Sequence, residues 1–288
     1  KLGEPGVANI VVGGARVLRA YGTFLHPNIL AAFLVIGLIS LCHLLLCELR
    51  SYEFITKSTN LKTHFKIAFL ISALFIVSLG LVLTFSRSSW LVAILALAML
   101  LFSAFKNYQA RKFAIFLFLI LLAIGCTLVA ILSPFIFSRT SFNLDEPAIA
   151  DRLAYNKLGL EIIRQHPFLG VGLGNQVTYA TQNKLYEKFG LIKPWQKQPV
   201  HNLYVLMASE IGIPGLLASI FFILWLLIRS IRNWKLEIAP PLLMLGALLT
   251  LGLFDHYLWD IWQGQLLLAV IVGIVMGVGA RGTTDSTQ

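Results

Sequence analysis

Residues 113–133 read FAIFLFLILLAIGCTLVAILS, a run without a single charge. About 20 such residues cross the hydrocarbon core of a bilayer as a helix. A helix is one of only two structures that satisfy their own backbone polar groups there. Comparable apolar runs lie at roughly 29–47, 67–86, 90–105, 203–228, 239–257 and 262–279, which predicts about seven spans. The third is short and borrows residues from 86–89. Only 12% of the 288 residues are charged, about half the usual share of soluble domains. The chain is therefore read as an all-α, polytopic transmembrane helix bundle.

The positive charge is distributed as a membrane protein requires. The stretch 48–66 holds Arg50, Lys57, Lys62 and Lys66; 106–112 holds Lys106, Arg111 and Lys112; 229–235 holds Arg229, Arg232 and Lys235; and Arg281 follows the last span. All fall on one side, and the positive-inside rule makes that side cytoplasmic. The net charge of +10 is accounted for by these connections and by lipid head groups, so no nucleic-acid partner is expected. Trp90, Trp259 and Trp262 fall at the outer interface, with Trp225 and Trp234 near the inner one, where aromatic belts sit. Five sections result: an external segment 1–28, four spans within 29–133, a large external loop 134–200, three spans within 201–280, and a cytoplasmic tail 281–288. An external start with no preceding span is most simply explained by further helices before Lys1. The cysteines Cys42, Cys47 and Cys126 lie in or beside apolar runs, without metal-ligand spacing, and read as small buried hydrophobes.

The outer face gathers the residues with chemistry. It carries RAYGTFLHPN (19–28), TFSRSSW (84–90), the loop 134–200, His201 and FDHYLWDIW (254–262). Arg87 is the only charge in its hairpin tip, among Ser86, Ser88 and Ser89. Its planar fork of donors suits phosphate oxygens, although a turn anchored at head groups needs the same residues. Within the long loop, 143–167 reads as a helix capped by Asp145, with Pro147 in its first turn and Pro167 as its stop. Ile149, Leu153, Leu160 and Ile163 form its expected apolar stripe. Arg152 lies in the first turn beside Asp145, Glu146 and Asp151, so a surface Arg–Asp pair explains it as well as an anion site does. The glycines of FLGVGLGNQ (168–176) lack a βαβ context and the third glycine of a dinucleotide fingerprint; a tight turn is the better reading.

The fifth span starts unusually, as PVHNLYVLMASEIGIPGLL (199–217). Neutral His201 can accept a proton near neutral pH, and Asn202 suits an N-cap. Glu210 lies nine residues on, about 13 Å deeper. Pro214 has no N–H for the Glu210 carbonyl. Such a break is tolerated at depth only where protein packs around it or a polar cavity exists. The expectation is a cavity open to the outer face, with Glu210 and Gly-Ile-Pro-Gly as its floor or wall.

Taken in order, RAYGTFLHPN, TFSRSSW, DRLAYNKLGLEIIRQHPFLGVGLGNQ, HNLYVLMASEIGIPGLL and FDHYLWDIWQGQLL resemble the O-antigen ligase / O-antigen polymerase superfamily of bacterial membrane glycosyltransferases. The resemblance runs from about residue 19 to 279 and rests on the ordered set rather than on any single motif. It implies a protein of around a dozen spans, of which this chain is the C-terminal portion. It further implies an enzyme of the bacterial cytoplasmic membrane, its site facing the periplasm or exterior. Such an enzyme moves a glycan from an undecaprenyl-diphosphate-linked donor to a hydroxyl on a glycan or lipid-linked acceptor. Arg87 and Arg152 match the family's diphosphate-holding arginines and His201 its acceptor-activating histidine. Asp255 and His256 match a less understood C-terminal motif, and Arg19, Asn202 and Glu210 are candidate supporting residues. No cofactor and no metal are expected, because two arginines can replace a cation at the leaving diphosphate.

A transporter of a small anion such as bicarbonate is the competing expectation, since a broken helix beside a polar mouth suits one. Against it, the sequence has no visible inverted repeat and little polarity between Glu210 and Arg229. Ligase and polymerase, which differ in acceptor, are not distinguished by these residues.

Overall fold

A computed structural model describes residues 7–55, 61–139, 147–232 and 239–284. Expectations on Lys57, Asp145, Glu146, Trp234, Lys235 and the Arg281 side chain lie outside the described residues. The chain forms two compact units.

The first unit opens with an antiparallel hairpin, β1 (Asn9–Val12) and β2 (Ala15–Leu18). It is the only sheet among the described residues, a small addition to an otherwise helical unit. Gly13 and Gly14 both have positive φ, as a two-residue turn of this twist demands. Four long helices follow: α1 (Pro27–Ile55), α2 (Leu61–Leu83), α3 (Arg87–Lys106) and α4 (Arg111–Phe137). α1 packs against the other three. Phe69, Ile76, Ile94, Phe102 and Ile131 point outward, which hydrocarbon tolerates and water does not. Arg50, Lys62 and Lys66 sit on extensions of α1 and α2 rather than in a loop, and Lys66 pairs with Glu48 at 3.5 Å. Adding a turn or two to a span costs less than leaving its backbone groups unpaired at the membrane edge.

The second unit contains α5 (Pro147–Gln165), α6 (Gln176–Gln182), α7 (Leu185–Lys188), a 3-10 turn (Pro194–Gln196), α8 (Leu203–Arg232), α10 (Tyr257–Asp260) and α11 (Trp262–Thr284). The helix α9 (Ala239–Leu251) is divided between the units. Of the seven expected spans, α1 to α4 and α8 are long and apolar enough to cross a membrane; α9 and α11 are shorter apolar helices as described. The chain is a multi-pass, all-α membrane protein.

The expected stripe on α5 needs correction. Leu153 and Leu160 are exposed, whereas Tyr155, Leu158 and Ile162 are buried with Ala180, Leu185, Tyr186, Leu191, Val200 and Leu206. α5 is apolar on two faces at helical spacing, and the face with the larger Tyr155 ring wins the core.

Candidate functional site

The break in α8 is filled by protein, not by a cavity. Gly212 leaves helical geometry at φ 75°, ψ 172°. Ile213 N–H is thereby freed from Ser209 O and donates to Pro167 O at 2.8 Å. The two carbonyls left without helical donors accept instead from the Gly-rich loop: Val171 N–H to Ser209 O and Gly172 N–H to Glu210 O, both 2.9 Å. The Glu210 carboxylate is a structural pin. It accepts from Gly174 N–H (2.9 Å), Gln176 N–H (3.3 Å) and Trp259 Nε1–H (2.8 Å). The broken helix that suggested transport is thus closed by backbone. Phe168, Leu169 and Leu173 point outward from the same loop, beside a break about 13 Å along α8, a depth at which hydrocarbon accommodates them.

The start of α8 is fixed with equal care. Asn202 Oδ1 accepts from Tyr204 N–H (3.0 Å) and Val205 N–H (3.1 Å), and its Nδ2 donates to Leu253 O (3.2 Å). It caps the helix as expected and also ties it to the segment carrying Asp255 and His256. Asn202→Ala is expected to cost about 1–2 kcal/mol; a lowered melting temperature in detergent checks this, and an unchanged one contradicts the cap.

Around His201 the second unit assembles its polar cluster. The ring stacks on Tyr155 (centroids 5.0 Å, 17°) and meets His256 edge-on at 4.9 Å. Tyr155 is held by its hydroxyl on Gln196 O (2.7 Å), and Gln196 donates to Asp151 (2.9 Å). His201 Nδ1 lies 3.0 Å from Pro199 O. A carbonyl only accepts, so Nδ1 carries the proton and the Nε2 lone pair is left for other use. Burial lowers the His201 pKa to about 4; Asp255 pulls it up, while His256 and Arg152 push it further down. His201 is therefore neutral, with Arg152 within its electrostatic reach. His256 behaves oppositely: burial disfavours its charge, yet the hydrogen bond to Asp260 and the charge of Asp255 outweigh this and raise its pKa. Its Nδ1 sits 2.8 Å from both Asp260 carboxylate oxygens. One ligand atom each from His201, Asp255 and His256 lie within 4.8 Å of one another, a residue set of metal-binding type.

Arg87 and Arg19 belong to the first unit. Arg87 is the first residue of α3, whose N-cap Ser86 makes no side-chain cap bond. Ser86 Oγ instead pairs with Ser89 Oγ at 2.9 Å. The preceding Phe85 is buried with φ 50°, a left-handed conformation that is uncommon outside glycine and often found at functional sites. Arg19 braces this turn, its Nε donating to Thr84 O (2.6 Å) and its Nη2 to Asn28 Oδ1 (2.7 Å). The serine hydroxyls and the first turn of α3 lie together at this turn.

Comparison with protein families decides the affiliation: residues 72–220 match O-antigen ligase. The chain belongs to the O-antigen ligase family. No curated protein matches it. The matched segment contains Arg87, Arg152, His201, Asn202 and Glu210; Asp255 and His256 lie beyond it and enter through their contact with His201. Membership implies a glycosyl-transferring membrane enzyme using lipid-linked glycans. Within this O-antigen ligase family chain, sequence reasoning passed over Tyr155, Trp259 and Asp260 as site residues. Two carried a signal: Tyr155 lies three residues after Arg152, and Asp260 four after His256, both on shared helical faces.

Proposed function

We propose that the protein transfers a glycan from an undecaprenyl-diphosphate-linked donor to an acceptor hydroxyl, at the outer face of the bacterial cytoplasmic membrane and without a metal. The observation that carries this reading is the fixed tautomer of His201, whose Nδ1–H is bound to Pro199 O and whose Nε2 is free to take a proton.

In the reaction Nε2 removes the proton of the acceptor hydroxyl as its oxygen attacks the anomeric carbon. The bond from that carbon to the diphosphate oxygen breaks, the diphosphate leaves with the electron pair, and the carbon inverts. Arg152, within electrostatic reach of His201, holds the diphosphate and stabilises its developing charge; the family resemblance assigns Arg87 the same role. Asp255, adjacent to the ring, favours the imidazolium that forms, as its upward pull on His201 indicates. An apolar groove of about 730 Å³, lined by Tyr204, Met207, Leu258 and Trp259 among others, suits the donor's prenyl chain. The polymerase and ligase forms share this chemistry and differ in the acceptor.

The test is glycan transfer and carrier release by the purified protein in detergent, with undecaprenyl-diphosphate-linked oligosaccharide. Transfer is expected to survive EDTA; its loss on chelation and return with added Zn²⁺ or Mg²⁺ would assign His201, Asp255 and His256 to a metal and sink the arginine reading. Arg87→Ala and Arg152→Ala are each expected to lower kcat/KM by about 10²–10³. The pH dependence follows from the direction on His201. Its folded value lies below the ordinary one, so in the free enzyme the base is lost only as pH falls towards about 4. kcat/KM should then stay level from pH 7 to about 5.5, and an acid limb centred near 6.5 contradicts the buried neutral base.

A further inference from the structure

The polar cluster around His201, all of it in the second unit, has the geometry of a cation site. Two histidines and a carboxylate meet there, and each ring is held by its far nitrogen. His201 Nδ1–H is bound to Pro199 O, and His256 Nδ1 lies 2.8 Å from both oxygens of Asp260. Histidines that hold a metal are fixed in this way: one ring nitrogen donates to a carbonyl or carboxylate, which sets the tautomer and turns the other nitrogen to the ion. A carboxylate partner also makes the ring a stronger ligand. His256 Nε2 faces Asp255 Oδ1 at 3.9 Å. That is too long for a hydrogen bond. It is close to the spacing of about 3.3 Å between ligand atoms around a tetrahedral zinc, whose bonds to N and O are about 2.0–2.2 Å. One ligand atom from each of His201, Asp255 and His256 falls within 4.8 Å of the others, so closing on an ion takes side-chain shifts of about 1.5 Å or less. Asp255 Oδ1 also accepts from His256 N–H; a carboxylate has two oxygens and about four lone-pair sites, so that bond does not use up its capacity as a ligand. Tyr155, stacked on His201, limits the ring's rotation away from the set. Arg152 opposes positive charge here and Asp255 favours it, while Asp260 adds a second carboxylate behind His256.

We infer that His201 Nε2, Asp255 and His256 Nε2 bind a divalent transition-metal ion of the Zn²⁺ type, and that this ion inhibits the transfer. Imidazole nitrogens suit Zn²⁺, whereas Mg²⁺ and Ca²⁺ take oxygen ligands. Three protein ligands leave a fourth position for water. A charged His256 gives up its Nε2 proton to solvent as the ion enters, and its Nδ1–H stays on Asp260. The inhibition rests on His201 being the base: zinc takes up the Nε2 lone pair that would otherwise receive the proton of the acceptor hydroxyl.

The experiment is a zinc titration of the tag-free protein in detergent, first stripped with EDTA and desalted, with calorimetry for binding and glycan transfer read on the same samples. One Zn²⁺ per chain is expected at this site, with transfer falling as it fills and returning on EDTA. Mg²⁺ should neither bind there nor inhibit. Asp260→Asn leaves the three ligands in place and loosens only the His256 ring; it should weaken zinc binding about 10–100-fold. His256→Asn should abolish it. His43→Asn, which alters the separate His43–Cys47 pair at 3.6 Å, should bind zinc like the wild type. Zinc that fails to bind, or that binds the His256 and Asp260 variants as it binds the wild type, overturns the site. Zinc bound through these residues while transfer runs at its full rate leaves the site standing but contradicts the inhibition, and with it His201 as the base. Transfer that rises with zinc overturns the inhibition in favour of a metal-assisted reaction.

Discussion

Gly170→Val and Gly212→Val are expected to yield no folded protein. A Cβ on Gly170, at φ +62°, would lie 2.4 Å from the carbonyl carbon and oxygen of Glu210. One on Gly212, at φ +75°, would lie 2.1 Å from Phe168 O. Neither obstacle is the end of a flexible side chain; both are backbone. The two glycines face each other across the exchange in which Val171, Gly172 and Ile213 replace the missing turn of α8. Pushing the strands apart breaks those bonds, and the released polar groups have no water at that depth. Each buried group left unsatisfied costs about 1–3 kcal/mol, and several are lost together, against a total stability of about 5–15 kcal/mol. Glu210→Ala acts on the same element more mildly, orphaning Gly174 N–H, Gln176 N–H and Trp259 Nε1–H. Expression followed by size-exclusion chromatography in detergent checks the glycine pair. Monodisperse Gly212→Val protein with wild-type melting would refute the closed break.

His201→Ala is expected to leave the protein folded and to lower kcat by about 10²–10⁴. The ring sits before the first residue of α8, and the cap belongs to Asn202, so its removal spares the helix start. What disappears is a neutral base of fixed tautomer, stacked on Tyr155 and neighbouring Asp255 and His256. Donor binding, assigned to the arginines and the apolar groove, should persist. The expected signature is therefore a fall in kcat at nearly unchanged donor affinity, which general loss of structure does not produce. Tyr155→Phe keeps the stacked ring but loses the bond to Gln196 O, and should fall between the variant and the wild type.

The sequence and the structure agree most closely where physics is local. Apolar runs of membrane length became α1 to α4 and α8 because the bilayer leaves the backbone little alternative. Asn202 caps because an amide at that offset has two N–H groups within reach. What escaped sequence reading depends on distant partners. Glu210 was legible as costly, but its three donors lie 34 to 49 residues away in sequence, and a loop filling the break is indistinguishable in sequence from a cavity beside it. The α5 face was misjudged because two helical stripes compete there, and only packing against Val200 and Leu206 selects Tyr155, Leu158 and Ile162. The hairpin around Gly13-Gly14 was readable in principle, since paired glycines between β-branched residues signal such a turn, but apolar length drew the reading to helices. Arg19 lay among the outer-face residues. Its partner Thr84 is what reveals it as a brace for the Arg87 turn.

The central claim is that His201 acts on the acceptor while the arginines hold the donor. Its most direct measurement is single-turnover glycan transfer by folded His201→Ala protein pre-loaded with undecaprenyl-diphosphate-linked oligosaccharide, with donor binding recorded on the same sample. The predicted result is donor bound at wild-type affinity and transfer slowed by about 10² or more. Transfer at the wild-type rate from that bound donor would contradict it.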